Sequence, residues 1–368
     1  MYNILTLNKI AACGTDKFDT AKYTVSDNAE NPTGILVRSA SMHDMAFGSE
    51  LLAIGRAGAG TNNIPVEQCA EQGIVVFNTP GANANAVKEL VIAGLFLASR
   101  KVTKAVAWAA DLKDTEEMNV GKQVEKGKSQ FAGPEVLGKT LGIIGLGAIG
   151  RKVAQAAAAL GMTVVGTDPF LSEAAAAEIA DFCKVVATKE EVYAVADYIT
   201  LHVPFNADTK GFVNADVFAQ LKDGARILNF ARGELVNDDD LAQAIASGKV
   251  AAYVTDFPNA KTVAMDGVVA IPHLGASTPE SEDNCASMAA DELIDYIENG
   301  NIRNSVNFPN VSADADKKVC VLHKDTVSLT ENVLATGTKK GFGYTILSAD
   351  ADVDAIKAID GVIRVRVI

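Results

Sequence analysis

The sequence predicts an α/β protein built on parallel sheets, with a smaller α+β unit at its C-terminal end. Short runs of strand-forming residues alternate with helical patterns over residues 1–305, which is typical of parallel strands covered by helices on both faces. A glycine-rich turn joins one of these strands directly to a helix. From residue 313 a separate short series of strands and helices begins. The length of 368 residues accommodates two or three domains.

Residues 1–100 contain the first series of elements. A helical pattern over residues 86–98 is apolar on nearly all sides, which predicts a buried helix. The predicted strands are Ile4–Leu7, Ile35–Arg38, Leu51–Gly55 and Ile74–Asn78.

Residues 110–139 are charged and weakly periodic, which indicates a loop or an arm. Beyond them the alternation resumes, as far as a helix over residues 280–299 that Gly300 is expected to end. The predicted strands of this second series are Thr163–Thr167, Lys184–Ala187, Tyr198–Val203, Arg226–Phe230, Ala251–Thr255 and Val268–Ile271. The predicted C-terminal order is strand (Lys318–Leu322), helix, strand (Gly343–Ser348), helix (Val353–Ile359) and strand (Val362–Ile368).

A Gly-x-Gly-x-x-Gly turn at Gly145, Gly147 and Gly150 follows the strand pattern Leu141–Ile144 and opens an alanine-rich helix. The first glycine allows the tight bend, the second lets the backbone approach a pyrophosphate, and the third lets helix and strand pack closely. The N-terminus of the helix offers free N–H groups to the phosphates. A glycine-rich loop without a ligand is the alternative, which the order strand, turn, helix disfavours. We therefore predict a Rossmann-like dinucleotide-binding domain.

Asp168 ends the next predicted strand, eighteen positions after Gly150. A carboxylate there can accept hydrogen bonds from the adenosine ribose and repel a 2′-phosphate. Residues 169–171 contain no arginine or lysine that would hold such a phosphate. The sequence therefore favours NAD over NADP.

Polar side chains follow four predicted strands, where parallel sheets bind their ligands. These side chains are His202, Arg232, Asp256 and His273. His273 can take a proton from a hydroxyl group as hydride leaves the same carbon, or it can simply donate to a backbone carbonyl. Arg232 can grip a carboxylate with two parallel hydrogen bonds, or it can form a surface ion pair, for instance with Glu234.

The composition excludes several classes of function. A net charge of −13 and a pI of about 4.8 disfavour binding to nucleic acid. No apolar run approaches the ~18 residues of a membrane span, and the N-terminus shows no secretory signal. The five cysteines are far apart and form no Cys-x-x-Cys pattern, which argues against zinc, predicts no metal site, and fits the reducing cytoplasm.

The chain resembles the D-isomer-specific 2-hydroxyacid dehydrogenases over residues 1 to 305. The resemblance lies in Val37-Arg-Ser39, Gly55-Arg-Ala-Gly-Ala-Gly-Thr-Asn-Asn63, Phe77-Asn-Thr-Pro80, Gly138-Lys-Thr-Leu-Gly-Ile-Ile-Gly-Leu-Gly147, Asn229-Phe-Ala-Arg-Gly233 and Pro272-His-Leu-Gly-Ala-Ser-Thr278. It implies a substrate-binding domain over residues 1–100 and 282–305, an NAD-binding Rossmann domain over residues 101–281, and two doubly wound sheets. Residues 313–368 resemble an abbreviated ACT-like regulatory or oligomerisation domain.

The resemblance also implies roles for individual residues. His273 is expected to be the acid–base and Arg232 the anchor of the substrate carboxylate. Other expected substrate contacts are Arg38, Arg56, Gly58 and Asn83, although the two arginines can equally be solvated strand ends. The residues expected to line NAD are Gly145, Gly147, Ala148, Ile149, Gly150, Asp168, Val203, Phe230, Ala231, Arg232, Asp256, His273, Leu274, Gly275 and Ala276.

The activity that the resemblance implies is NAD-dependent oxidation of a phosphorylated 2-hydroxy acid, 3-phospho-D-glycerate, at the entry to L-serine synthesis. The alternatives are a hydroxypyruvate- or glyoxylate-type enzyme and, in a different class, an NAD(H)-sensing corepressor-like interaction protein. A homodimer or homotetramer is expected, with the arm around residues 110–135 packed on the partner. Inhibition by L-serine through the C-terminal unit is a further expectation.

One position departs from the family pattern. A glutamate that pairs with the catalytic histidine is expected five residues after Asp256, and Lys261 stands there. Such a carboxylate would orient the imidazole and stabilise its protonated form. The sequence leaves three candidates for that role, namely Asp256, Glu280 and Glu282.

Overall fold

Two compact units make up the computed structural model, which describes residues 1–368 except for the side chains of Asp114 and Met118. The first unit comprises Met1–Asn83 and Thr278–Ile368, and the second comprises Ala84–Ser277. Both contain a parallel sheet, so the predicted α/β class is confirmed. No helix of the described chain has the length and apolar character needed to cross a bilayer.

A five-stranded parallel sheet in the order β2-β1-β3-β4-β5 forms the centre of the first unit. Four of its strands were predicted. The missed strand β2 is a short edge strand with one buried residue, Tyr23, so its hydrophobic pattern is weak. The elements are β1 (Tyr2–Leu7), α1 (Ala12–Thr15), β2 (Tyr23–Ser26), β3 (Gly34–Val37), β4 (Ala53–Arg56), α2 (Val66–Glu71) and β5 (Val75–Asn78).

A seven-stranded parallel sheet in the order β12-β11-β10-β9-β6-β7-β8 forms the second unit. The order reverses between β6 and β9, which is where open parallel sheets bind ligands. The helices are α3 (Ala84–Ser99), α4 (Val102–Ala110), α5 (Glu117–Gly127), α6 (Ala148–Ala159), α7 (Glu173–Ile179), α8 (Lys189–Val195), α9 (Ala215–Gln220) and α10 (Asp238–Ala246). The strands are β6 (Thr140–Ile144), β7 (Thr163–Thr167), β8 (Lys184–Val185), β9 (Tyr198–Leu201), β10 (Ala225–Asn229), β11 (Val250–Thr255) and β12 (Val268–Ala270).

The buried helix α3 belongs to the second unit, so this unit begins at Ala84 and not at residue 101. Its apolar face, including Val91 and Leu95, shares a core with the strands of the seven-stranded sheet. Gly94 permits close packing there, because a Cβ atom at this position would lie 2.7 Å from the Phe230 ring. The sequence pattern predicted the burial of α3 but not the sheet that covers it.

The segment predicted to be a loop or arm over residues 110–139 is helical as far as Phe131. Two 3₁₀ turns, Asp111–Asp114 and Lys128–Phe131, flank helix α5. Trp108 packs on Phe131 with the ring centroids 5.5 Å apart. The helices are short and mostly exposed, and their lysine, glutamate and alanine residues supply helix propensity.

The C-terminal part of the chain belongs to the first unit and shares its core. Cys320, Leu322 and Tyr344 pack in one cluster with Phe77 and Tyr296. The elements are α11 (Pro279–Asn299), β13 (Lys318–Lys324), β14 (Val333–Lys339), β15 (Phe342–Ser348), α12 (Val353–Lys357) and β16 (Val362–Val367), with an antiparallel sheet in the order β14-β15-β13-β16.

The helix predicted between the first two C-terminal strands is wrong, since the structure has strand β14 there. Burial alternates along β14, and the strand pairs with β15 through a two-residue turn. Both turn residues, Lys340 and Gly341, have positive φ angles of 53° and 84°, which is the geometry of a tight hairpin turn. The predicted end of α11 is confirmed, because Gly300 takes a left-handed φ of 65° directly after Asn299.

Glu292 of α11 is a buried carboxyl group whose protonation is expected to control the stability of the first unit. Its side chain is 7% exposed, and only one of its oxygens accepts a hydrogen bond among the described residues, from Asn304 at 2.8 Å. Burial raises the pKa of Glu292 to about 8. The folded state therefore keeps a proton that the unfolded chain releases near pH 4.5.

Stability from this group is fully present below pH 4.5 and is lost as the pH rises towards 8, by at most roughly 1.4 kcal/mol per pH unit. We expect Glu292→Gln to remove most of that slope and to be more stable than the parent at pH 8. Urea unfolding at pH 5 and pH 8 measures both, with Glu280→Gln, an exposed position on the same helix, as the control. Equal slopes for the parent and Glu292→Gln would show that Glu292 is ionised in the folded protein.

Candidate active site

The glycine turn lies between β6 and α6, at the carboxyl edge of the seven-stranded sheet. Gly145 has a φ of 98°, and a Cβ atom there would lie 2.5 Å from the carbonyl oxygen of His202. Gly150 has no room for a side chain either, because its Cβ atom would overlap the Gly145 carbonyl. Gly147 is different, since a Cβ atom there would meet no protein atom within 4 Å. Gly145 and Gly150 are thus required by the fold, whereas the space above Gly147 is open to a ligand.

Asp168 holds the end of β7 against the glycine turn. One carboxylate oxygen accepts the backbone N–H of Leu146 at 2.9 Å, and the other accepts that of Phe170 at 2.9 Å. The side chain is partly exposed, so lone pairs remain for a ribose hydroxyl. Arg151, in helix α6, is paired with Glu178 at 2.6 Å. This ion pair neutralises a positive charge that could otherwise attract a 2′-phosphate.

Asn229 fixes the turn that presents Arg232 after β10. Its buried amide oxygen accepts the backbone N–H groups of Ala231 and Arg232, at 3.2 and 3.3 Å, and its amide nitrogen donates to the Arg232 carbonyl at 2.8 Å. The Arg232 side chain donates to the Ala231 carbonyl at 2.6 Å. Within residues 84–277 it forms no ion pair with Glu234 or another carboxylate, so its charge is available to an anionic ligand.

Asp256 follows β11 and is 1% exposed. One oxygen accepts the backbone N–H of Gly275 at 3.1 Å, and the other, Oδ1, has no hydrogen-bond partner among the described residues. Burial raises the pKa of this carboxyl, while the N–H of Gly275 and the charges of His273 and Arg232 act in the opposite direction. A buried acceptor without a partner is costly, which indicates that a ligand donor completes it.

His273 lies beyond β12, and its ring faces Phe257. The two ring centroids are 4.4 Å apart and the planes are inclined by 43°. The imidazole is exposed and forms no hydrogen bond or ion pair within residues 84–277, so the backbone-carbonyl alternative does not apply. His202, by contrast, bonds to Thr200 at 2.9 Å, and burial lowers its pKa to about 3. Of these two histidines, only His273 is placed to exchange a proton with a ligand.

The residues of the second unit fit a dinucleotide. The open space above Gly147 lies at the N-terminus of α6, where backbone N–H groups bind phosphates. Asp168 stands at the ribose position, and the unsatisfied oxygen of Asp256 can accept an amide donor of the nicotinamide. Four of the predicted residues lie in the first turn of α6 or directly after β10, namely Ala148, Ile149, Phe230 and Ala231. Val203 lies two residues beyond β9, and Leu274 and Ala276 lie four and six residues beyond β12. Among the described residues no group of three side chains could hold a metal ion.

The first unit places the other predicted residues near its own strand ends. Arg38 follows β3 and pairs with Glu282 at 2.7 Å. Arg56 ends β4, and its guanidinium group occupies the position that a Cβ atom on Gly58 would take. Gly58 has a φ of 143°, which residues with a side chain rarely adopt. Asn83 is partly buried at the last position before the second unit.

The missing glutamate is not replaced within the second unit. Lys261, at the position where it was expected, pairs with Asp239 at 2.6 Å. Asp256 bonds to Gly275 and not to the imidazole. Glu282, a further candidate, pairs with Arg38 in the first unit.

The sequence patterns did not identify Phe257 and Asn229 as residues of the site, although both lie close in sequence to predicted residues at strand ends.

Comparisons with known proteins agree with this geometry. The family model of the D-isomer specific 2-hydroxyacid dehydrogenase, NAD binding domain, matches residues 102–275. The D-3-phosphoglycerate dehydrogenase of Bacillus subtilis is 32% identical over 344 residues, which is 88% of this chain and 62% of the relative. That of Rattus norvegicus is 35% identical over 301 residues, 79% of this chain and 54% of the relative. The chain thus spans roughly three fifths or less of these relatives' lengths.

Solved structures share the fold. A 3-phosphoglycerate dehydrogenase of Entamoeba histolytica with bound NAD⁺ has a TM-score of 0.66 and 26% identity, and the match covers 83% of this chain and 98% of that one. A glyoxylate reductase from Paecilomyes thermophila has a TM-score of 0.67 and 25% identity, with the same coverages. The cofactor of the second unit is therefore NAD. The chain carries the NAD-binding domain of the D-isomer-specific 2-hydroxyacid dehydrogenases, and it has the fold of that family.

Proposed function

We propose that this chain is an NAD-dependent dehydrogenase that oxidises 3-phospho-D-glycerate to 3-phosphohydroxypyruvate, as the D-3-phosphoglycerate dehydrogenases do. The observation that carries the proposal is that Arg232 and His273 both contact the ring of Phe257, one as a cation with no ion pair among the described residues of its unit and the other as an exposed imidazole. A 2-hydroxy acid needs one group for its carboxylate and one for its hydroxyl proton.

The residues divide the reaction between them. Arg232 binds the substrate carboxylate, and His273 accepts the proton of the C2 hydroxyl. NAD, when bound, accepts the hydride from the same carbon. Asp256 and Gly275 fix the backbone that leads from His273, through their hydrogen bond of 3.1 Å. Arg38 and Arg56 of the first unit are the proposed cations for the phosphate group.

The substrate class is tested by comparing 3-phosphohydroxypyruvate, hydroxypyruvate and glyoxylate as oxidants of NADH. We expect kcat/KM to be about 10- to 100-fold higher for the phosphorylated substrate, because a charge-assisted hydrogen bond contributes roughly 1.5–3 kcal/mol. Absorbance of NADH measures turnover directly.

A glyoxylate reductase is the second candidate, and the Arg38–Glu282 ion pair favours it, since Glu282 already neutralises one proposed phosphate ligand.

Three outcomes separate the proposals. Preference for 3-phosphohydroxypyruvate supports the first, and equal or higher kcat/KM for the smaller acids establishes the second. NADH binding without turnover of any of them would instead identify an NAD(H)-sensing protein. Arg38→Ala, compared with Arg303→Ala on the surface of the same unit, shows whether the phosphate preference depends on Arg38.

The assembly and the cellular location stay predictions. Helix α4 has no buried residue, and Val102 and Val106 are 45% and 64% exposed beside Phe96 at 41%. This apolar surface supports a homodimer or homotetramer formed through the arm, which light scattering would measure. All five thiols are unpaired, in keeping with the cytoplasm. For residues 313–368, calorimetry with L-serine decides whether they act as an ACT-like regulatory domain.

A further inference from the structure

Phe257 contacts both of the side chains to which the proposed chemistry is assigned. Its ring centroid lies 4.4 Å from that of His273, and the guanidinium carbon of Arg232 lies 5.5 Å from the Phe257 centroid. One ring thus meets the proposed acid–base and the proposed carboxylate anchor. Sequence separations of 16 and 25 residues show that neither contact is a consequence of local chain geometry.

The backbone on both sides holds Phe257 in place. Its N–H donates to the hydroxyl of Thr255 at 3.0 Å, and Thr255 is fully buried at the end of β11. On the other side Gly233 allows the turn after Arg232 to come close, because a Cβ atom there would lie 3.3 Å from both the Cβ atom and the carbonyl oxygen of Phe257. The backbone from which the ring projects is therefore held on both sides.

His273 needs such a surface. Its imidazole is exposed and has no carboxylate partner within residues 84–277, so no ion pair limits its rotamers there. An inclined aromatic contact favours one ring orientation several-fold. The face of a phenyl ring also attracts a cation, so it attracts the guanidinium of Arg232.

We propose that Phe257 is the positioning residue of this site, orienting His273 and Arg232 through one aromatic ring in place of the glutamate that the family pattern contains. The inference rests on the proposed function. In the oxidation the hydroxyl O–H bond breaks and its proton moves to His273, while the C2–H bond breaks and its electron pair leaves as hydride to the nicotinamide. The C2–O double bond forms at the same time. Phe257 takes no part in these bonds, and it fixes where the proton acceptor stands.

The test compares Phe257→Leu, which removes the ring and keeps an apolar side chain, with Phe257→Tyr, which keeps the ring. For Phe257→Leu we expect kcat to fall about tenfold, KM for the keto acid to rise, and the affinity for NADH to stay unchanged. The tyrosine variant should remain within about twofold of the parent. Phe212→Leu is the matched control, because Phe212 is a partly buried ring of the same unit with Lys189 at 4.8 Å.

A second readout does not depend on turnover. NMR three-bond couplings of the His273 side chain, assigned with His273→Ala, measure the populations of its rotamers. We expect one rotamer to dominate in the parent and in Phe257→Tyr and several to be populated in Phe257→Leu, because only the leucine variant removes the ring that the imidazole contacts.

The outcomes are distinct. Unchanged rotamer populations of His273 together with unchanged kcat in Phe257→Leu overturn the proposal, even if the variant melts at a lower temperature, since the Phe212→Leu control measures that structural effect. A parent protein that turns over none of the three keto acids overturns the proposed function. The rotamer populations then decide by themselves whether Phe257 orients His273.

Discussion

Replacing His273 with alanine is expected to lower kcat for the keto acid by a factor of about 10²–10⁴, the usual contribution of a general acid–base. The reason lies in the geometry of the second unit. The imidazole is exposed beyond β12, has no hydrogen-bond partner within the described part of residues 84–277, and lies beside Asp256 and Phe257. The affinity for NADH should remain close to that of the parent, because the side chain is exposed and supports no other part of the fold.

The measurement is steady-state reduction of 3-phosphohydroxypyruvate, together with an NADH titration followed by fluorescence. His43→Ala is the matched control, since His43 is also exposed and its Nε2 atom lies 2.9 Å from the Asn62 carbonyl oxygen. A kcat within threefold of the parent in the His273 variant would assign the proton transfer to another group. Asp256 would then be the first candidate, because burial raises its pKa.

The parts of this molecule that could be predicted from sequence are those fixed by neighbouring residues. The glycine turn is one, because Gly145 has a φ of 98° and a Cβ atom on Gly150 would overlap the carbonyl of Gly145, five residues earlier. The end of α11 is another, since it depends on the left-handed conformation of Gly300. Both features are local, and a short pattern of residues contains them completely.

The parts that escaped prediction depend on distant contacts. The Phe257 ring meets His273 and Arg232 only because β10, β11 and β12 are neighbours in the sheet. Glu282 pairs with Arg38, which is far away in sequence. Residues near Glu282 in the sequence therefore could not show whether this carboxylate is the partner of His273. The hairpin at Lys340 and Gly341 is an exception. Its two turn residues are adjacent in the sequence, but a helix is predicted between the strands where the structure has β14.

Gly147→Ala is the second change with a large expected effect, and it separates binding of NAD from folding. Gly147 has an extended backbone, with φ −66° and ψ −163°, that alanine adopts without strain. A Cβ atom there meets no protein atom within 4 Å. The folded protein should therefore tolerate alanine, with a melting temperature close to that of the parent.

The cofactor should not tolerate it. If the pyrophosphate lies against the backbone at Gly147, a methyl group displaces it and weakens the N–H contacts of α6. We expect NADH affinity to fall at least tenfold, which corresponds to about 1.4 kcal/mol. Gly150→Ala provides the opposite pattern, since its Cβ atom would overlap the Gly145 carbonyl and the fold itself should suffer. Gly121→Ala, in helix α5 of the arm and equally open, should leave NADH affinity unchanged, while alanine stabilises the helix slightly.

Calorimetric unfolding and NADH titration of these three variants give a two-way comparison. Loss of affinity at Gly147 with retained stability places the pyrophosphate at the turn. Unchanged affinity would mean that the dinucleotide does not approach this backbone. The roles assigned to Asp168 and Asp256 would then also fail, because both assume that the pyrophosphate lies at this turn. The open space above Gly147 is thus the feature on which the placement of the cofactor depends, because in this unit it is the position of the turn that the protein's own atoms leave unfilled.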